Sequence, residues 1–330
     1  MSIILILLLV AVLAWSLSLL FVSNYSPFDI QDNPNFRSLH LYPTPRTGGI
    51  AIVTAISSGW ICLYILGHQD PVLMWIIVAA LLVTLVSFLD DLLKLSVLSR
   101  FIVHGVAAAI LIFGSDSLPW GIIGNVLVWL AIVWMLNLYN FMDGMDGFSA
   151  GMTIVGFGVL GIIGWQQEAH TYALYCWVIA SASVGFLVIN FPPARIFMGD
   201  MGSINLGMLA AAFSLWGFQK ELFSFWIPLL VFSPFVVDAT VTIFLRLFKG
   251  EKIWLAHRSH FYQQLVLAGW SHKRTVLFEY VLMISCGASS ILILRFPEII
   301  QWVLGVWIIF YFLVILWVRK MGLLPDDGCR

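Results

Sequence analysis

Charge is scarce in this sequence. Only 16 Lys and Arg and 17 Asp and Glu serve 330 residues, so charged residues make up 10% of the chain. A soluble domain carries about 25%, and a soluble protein of this length could not cover its surface with so few. Neither sign predominates, since the formal net charge is -1. That excludes the basic footprint of a nucleic-acid binder. Paired cysteines are missing as well. Cys62, Cys176, Cys286 and Cys329 form no CxxC, and three of them lie inside apolar runs. A disulfide framework and a zinc site are therefore excluded, and the cysteines read as small packing residues.

Apolar residues, by contrast, make up 61% of the chain. A membrane-spanning helix needs about 20 mostly apolar residues. Eleven runs approach that length, at roughly 3–22, 49–66, 72–89, 100–113, 119–137, 149–164, 171–189, 203–218, 222–245, 276–294 and 299–318. The sequence predicts an all-α, polytopic integral membrane helix bundle forming a single domain over 1–330. The first run lacks a basic leader and a small-residue cleavage site, so it reads as a retained helix.

Lys and Arg orient the bundle, because they concentrate in cytosolic loops. With the N-terminus outside (periplasmic) and the C-terminus inside (cytosolic), 14 of the 16 basic residues are inner and only Lys220 and Arg295 are outer. The outer loops are short. The inner segments 23–48, 90–99, 138–148, 190–202 and 246–275 are longer and more polar, so function is expected on the inner face.

Five carboxylates fall on that face. Asp90 and Asp91 end the third span, Asp143 and Asp146 lie in NLYNFMDGMDG, and Asp200 lies in ARIFMGDMGS. Short connections should crowd them at one membrane level, and crowded carboxylates need a proton or a cation between them. Mg²⁺ is the usual cation, since one or two carboxylates suffice and its other positions take water and phosphate oxygens. Asn137 and Asn140 precede Asp143 and Asp146 at i, i+3 spacing, which would give one polar helical face. Gly144 and Gly147 would break the helix there. The last inner loop holds six Lys or Arg, together with His257, His260 and His272. Part of this is topogenic charge, but His257, Arg258 and His260 offer donors suited to phosphate oxygens. Pro34, Pro43 and Pro45 stiffen the first inner segment, where Arg37, His40 and Arg46 are candidate phosphate contacts.

Gly156, Gly158 and Gly161 spell GxGxxG, but inside an apolar span and without the βαβ setting of a dinucleotide fold. Close helix packing is the better reading. His104, Asp238 and Glu279 are polar residues in mid-span, where a functional role or an interhelical hydrogen bond is expected.

These motifs together resemble the polyprenyl-phosphate N-acetylhexosamine-1-phosphate transferases (glycosyltransferase family 4). The family includes phospho-MurNAc-pentapeptide translocase and GlcNAc-1-phosphate transferase. The resemblance rests on HLYPTPRTGG, Asp90-Asp91 with Lys94, NLYNFMDGMDG, NFPPARIFMGDMGS and the His-rich loop. It implies ten or eleven helices in a bacterial inner membrane, a cytosolic active site, and Mg²⁺ with Mn²⁺ as a substitute. The substrates would be a UDP-activated amino sugar and undecaprenyl phosphate, with UMP released and no nucleic acid involved; homodimerisation is left open. By position, Asp200 is implied as the metal ligand and Asp90, Asp91 and Lys94 as the residues at the lipid phosphate. Asp143 and Asp146 are implied at the nucleotide donor, Asn190 and Phe197 at uracil, and His257, Arg258 and His260 at the diphosphate and sugar. Arg46, Asn137 and Asn140 complete the expected set. HRSHFYQQ lacks the consecutive histidines of the peptidoglycan enzyme. It resembles instead the subgroup that begins O-antigen or related lipopolysaccharide glycans, often with N-acetylfucosamine or N-acetylquinovosamine. Phe148 replaces the usual Leu. A Mg²⁺-dependent intramembrane prenyltransferase and an anion transporter are the alternatives. The basic loop argues against the first, and the edge clustering without a repeat argues against the second.

Overall fold

The computed structural model describes residues 2–23, 25–27, 30–34, 42–93, 95–114, 121–252 and 257–320. Lys94, expected at the lipid phosphate, lies outside them, as do Arg37 and His40.

Long uncharged runs become long helices because inside a bilayer every backbone group must be paired within its own segment. The chain folds as α1 (Ile3–Val22), α2 (Gly48–Ile65), α3 (Val72–Leu93), α4 (Val97–Phe113), α5 (Gly121–Met142), α6 (Phe148–Gln166), α7 (His170–Asn190), α8 (Gly199–Gln219), α9 (Trp226–Val231), α10 (Ser233–Phe248), α11 (Phe261–Leu267), α12 (His272–Arg295) and α13 (Ile300–Lys320). Among the described residues, nine helices are long and apolar enough to cross a membrane. Two expected spans depart from that. The fourth is α4, an apolar helix of 17 residues. The ninth is not continuous but breaks into α9 and α10 at Phe232–Ser233. Pro234 lies in the first turn of α10, where its missing N–H does no harm but would end a helix running through.

Burial is graded across the bundle. α6, α7 and α8 are mostly buried and form its middle, whereas the window over α13 has no buried residue. α7 packs on α1 and α6, and α8 packs on α3 and α5. Tyr139, Phe157, Phe186, Phe213, Phe232 and Phe235 are fully buried between these helices. The glycines of α6 allow close packing, as expected: a Cβ on Gly156 would strike Phe232, and one on Gly161 would strike Trp177.

The stiff segment before α2 is not entirely irregular. Gln31–Asp32 (β1) and Thr44–Pro45 (β2) form a two-stranded antiparallel ribbon, with Asp32 opposite Thr44. β2 carries the chain directly to the loop before α8. The N–H of Phe197 donates to Pro45 O at 2.7 Å, Gly48 N–H to Phe197 O at 3.0 Å, and Gly49 N–H to Met198 O at 2.8 Å. Such an approach of α2 to α8 requires glycine, since a Cβ on Gly49 would overlap the Gly202 backbone. Gly199 turns this loop into α8 at φ 69°, in the left-handed region where glycine is at ease.

Candidate active site

The ladder between β2 and the Phe197 loop places Arg46 over the first turn of α8, which carries Asp200. Arg46 Nη2 lies 2.9 Å from Asp200 Oδ1 and 3.1 Å from Asp91 Oδ1. Arg100, in the first turn of α4, repeats the pattern. Its Nη1 is 3.1 Å from Asp90 Oδ2 and 3.6 Å from Asp200 Oδ2. Ser96 caps α4 and thereby fixes its first turn, accepting Ser99 N–H at 3.1 Å. Asp90 is fully engaged, because its Oδ1 also accepts Leu95 N–H at 2.7 Å. Three carboxylates thus meet two guanidiniums in one partly buried cluster. Burial works against the Arg46 cation, but Asp200 and Asp91 outweigh it and raise its pKa above the ordinary value. A cation is preferred at that point.

The two aspartates of DGMDG separate. α5 stops at Met142, so Asp143 and Asp146 lie beyond it, and only Asn137 and Asn140 share the expected helical face. Asp143 is enclosed, and burial pushes its carboxyl up to about 8, with the field of Asp200 adding to the effect. Asp146 turns the other way. Its Oδ2 accepts Ala194 N–H at 3.0 Å and faces His272 Nδ1 at 3.2 Å. Gly147, at φ 73°, starts α6. Asn190 occupies both ends of its amide on backbone: Gly147 N–H donates to its Oδ1 at 2.9 Å, and its Nδ2 donates to Ile196 O at 2.8 Å. The side chain expected at uracil therefore clamps the DGMDG loop to the PPARIF loop. Asn137 Nδ2 donates to Val133 O at 2.7 Å, and Asn140 Nδ2 to Ser203 Oγ at 3.1 Å. Phe197 is placed through its backbone bonds to Pro45 and Gly48.

The His-rich loop folds over this floor. His260 is buried, and its ring lies 4.7 Å from that of His257. His257 Nδ1 meets Ser259 Oγ at 2.8 Å. Burial, with His260 and Arg246 nearby, pulls the His257 pKa down to about 3, so its ring is neutral at pH 7. Arg258 is exposed and stands at the margin.

A cavity of about 1000 Å³ joins these parts. Arg46, Arg100, His104, Asn137, Asn140, Asp200, His257, His260 and Gln263 line it, together with the apolar Phe101, Leu130, Val133, Trp134, Ile204 and Ile243. Leu130, Trp134 and Ile243 continue into a second hollow of about 360 Å³, closed by Ala131, Thr240 and Phe244. Asp91, Asp143, Asp146, Asn190, Phe197 and Arg258 are not on the wall of the larger cavity. Sequence reading missed Arg100, Ser203 and Gln263 as site residues. Arg100 carried a signal, being a basic residue within one helical turn of a span beginning just after Asp-Asp.

Among the described residues, no group of three or more His, Cys, Asp or Glu is gathered for a metal. Asp91 and Asp200 nevertheless bring one oxygen each to a single point, now held by Arg46 Nη2. Two carboxylates at one point, with the cluster one negative charge in excess, suit Mg²⁺ that takes its remaining oxygens from phosphate and water.

Comparison with known proteins gives a consistent answer. Residues 73–218 match the profile of glycosyl transferase family 4. The chain is 30% identical over 276 residues to a probable undecaprenyl-phosphate N-acetylglucosaminyl 1-phosphate transferase of Bacillus subtilis, covering 79% of this chain and 76% of the relative. It is 30% identical over 263 residues to the phospho-N-acetylmuramoyl-pentapeptide-transferase of Listeria welshimeri, covering 71% and 79%. To the enzyme of that name from Enterococcus faecalis it is 27% identical over 290 residues, covering 80% and 88%.

Proposed function

The chain belongs to glycosyl transferase family 4, and from that premise we propose that it moves a sugar 1-phosphate from a UDP-linked N-acetylhexosamine to undecaprenyl phosphate, releasing UMP. One observation carries the reading: a single cavity is lined both by Arg46, Arg100 and Asp200 and by apolar side chains, of which Leu130, Trp134 and Ile243 also line an adjoining hollow. A polyprenyl phosphate has that same division. Its headgroup would sit at the arginines, with its chain along Leu130, Trp134 and Ile243.

In the reaction, an oxygen of the lipid phosphate attacks the β-phosphorus of the donor. A new P–O bond forms, the bond from that phosphorus to the bridging oxygen breaks, and UMP departs. The second pKa of a phosphate monoester is about 6, so the nucleophile is largely ionised at neutral pH and needs little base help. Catalysis then consists of positioning and charge neutralisation. Arg46 and Arg100 supply fixed positive charge, and Asp90 orients Arg100 through their 3.1 Å pair. Asp91 and Asp200 would hold Mg²⁺, which when bound neutralises phosphate oxygens and polarises the phosphorus. Neutral His257 and exposed Arg258 border the path of the donor, whose nucleotide would lie toward the loop that carries Asp143 and Asp146. The direct route forms no aspartyl-phosphosugar, so trapping one in a single turnover would reject it.

HRSHFYQQ, without consecutive histidines, favours a deoxy-amino sugar donor such as UDP-N-acetylfucosamine and a place at the start of an O-antigen or related glycan. The basic residues at the site end favour its facing the cytosol. A panel of UDP-N-acetylhexosamines with undecaprenyl phosphate and Mg²⁺, scored by UMP release, tests the proposal. Release of inorganic diphosphate instead would indicate prenyl transfer, and counterflow without UMP would indicate a transporter.

A further inference from the structure

Asp238 is a buried carboxylate in the middle of α10, away from the Arg–Asp cluster, and the reaction above makes no use of it. It is surrounded by donors. Oδ1 accepts Phe261 N–H at 3.0 Å and Thr242 Oγ1–H at 3.2 Å, and it meets His260 Nδ1 at 3.1 Å. Oδ2 accepts Tyr262 N–H at 3.1 Å. Both oxygens of this carboxylate already accept from backbone N–H groups, so in its contact with His260 it is again the acceptor and Nδ1 carries the hydrogen. The ring is held on its other sides by Phe141 and Tyr262, with centroids 6.3 and 5.9 Å away. Its backbone N–H donates to Gln263 Oε1 at 3.3 Å. His260 also lines the large cavity, and with Nδ1 occupied, Nε2 is the nitrogen left for a ligand.

The geometry points to Asp238 as a positioning residue: it fixes the tautomer and tilt of His260 so that Nε2 is presented to a phosphate oxygen in the cavity. This rests on the transferase reading. Oriented by a carboxylate, Nε2 donates its hydrogen to the phosphate when the ring is protonated. Carboxylates fix the tautomer and ring orientation of histidines in this way at other sites. The titratable and charged groups around the ring are Asp238 from α10, His257 and, beyond it, Arg246, Tyr262 from α11, Glu279 from α12, and Asp143 beyond Tyr262.

The test is Asp238→Asn in the full-length protein in nanodiscs. An amide keeps one acceptor oxygen for the α11 backbone, but because it can also donate it no longer selects Nδ1–H. The variant should lose about tenfold or more in kcat with the donor KM nearly unchanged. Its pH–rate profile should be displaced from that of the wild type. In the wild type, ¹⁵N shifts of His260, assigned by difference from His260→Ala, should show the neutral ring protonated at Nδ1. Thr242→Val removes another donor to Asp238 without touching His260, so it should reduce thermal stability and leave the pH profile in place. An unchanged profile in Asp238→Asn, an equal displacement in Thr242→Val, or a neutral His260 protonated at Nε2 would each overturn the inference. The ¹⁵N result decides it even if Asp238→Asn does not fold. Absence of UMP release from the wild type would count against the transferase reading alone.

Discussion

The two ends of the bundle are built from different chemistry. At the end opposite the site, aromatic side chains pack together and bond to backbone, beside a hollow of about 790 Å³ lined by Trp60, Asp70 and Tyr175. Tyr172 lies 5.0 Å from Trp216 and donates to Phe213 O at 3.0 Å, and Tyr175 donates to His68 O at 3.1 Å. One ion pair, Lys220 with Asp70 at 3.1 Å, stands there with its lysine half exposed. The site end holds three carboxylates and two arginines in partial burial, and half-buried Asp143 has a raised pKa. Such a cluster costs free energy to assemble, because charges leave water and like charges are pressed together. The aromatic end is optimised for the fold. The site end stores repulsion that a cation and phosphates can relieve, which is where a trade of stability for activity is expected.

The sharpest way to break this contrast is at Asp200. Asp200→Asn should lower the UMP-release rate by about 10³-fold, the scale of losing a principal transition-state charge contact, while the protein still inserts and stays folded. Asp70→Asn at the other end should change the rate by less than about twofold. Turnover in Asp200→Asn near that of the wild type would remove the metal and phosphate assignment.

Asn190 separates two roles, reader of uracil and clamp between loops. Asn190→Ala leaves Gly147 N–H and Ile196 O without their partner, at a cost of about 1–3 kcal/mol for each buried group. Thermal unfolding of the unliganded protein should therefore occur several degrees lower. A normal melting temperature with only a raised donor KM would favour the uracil role.

Asp143 gives a smaller effect of opposite sign. Its folded pKa of about 8 lies above the unfolded value of 3.8, so the folded state binds the extra proton. Stability from this group is full below about pH 4 and is lost as pH rises toward 8. Asp143→Asn keeps a neutral side chain there. It should raise the melting temperature by roughly 2–4 °C near pH 8, the scale of about 1 kcal/mol, and by much less near pH 5. A gain independent of pH, measured without substrate, would mean that Asp143 is ionised in the fold.

Helices were legible because bilayer physics writes them as long uncharged runs, and the edge that carries the site was legible because scarce charges fall there. The break between α9 and α10 was not, since Ser-Pro sits inside an unbroken apolar run and only packing decides whether a helix continues. Asp90, Asp91 and Asp200 were readable as a group because span three ends and span eight begins at the same level. The partners were not readable: Arg46 and Asp200 are 154 residues apart, and the bond between them depends on the ladder from Pro45 to Gly49. Sequence shows Asn190 and Asp146 as a donor and an acceptor but not the Gly147, Ile196 and Ala194 backbone groups that they bond in the fold. Phe148, noted only as a replacement for Leu, fills a space between Phe235 and Tyr262, with centroids 4.7 and 5.0 Å away.

The smallest effect is expected at the remaining charge of the quiet end. Lys220 reaches Asp70 with its side chain 47% exposed, so water screens the pair and the lysine gives up rotamer freedom to make it. Exposed pairs of this kind are worth about 0–1 kcal/mol. Lys220→Met should leave UMP release unchanged and move the melting temperature by no more than about 1–2 °C, in either direction, because a longer apolar contact with the neighbouring helix offsets the lost attraction. If the substitution instead reduced turnover, the two ends would be coupled through α8, which begins at Asp200 and ends beside Lys220. The separation of a structural end from a chemical end would then fail at that helix.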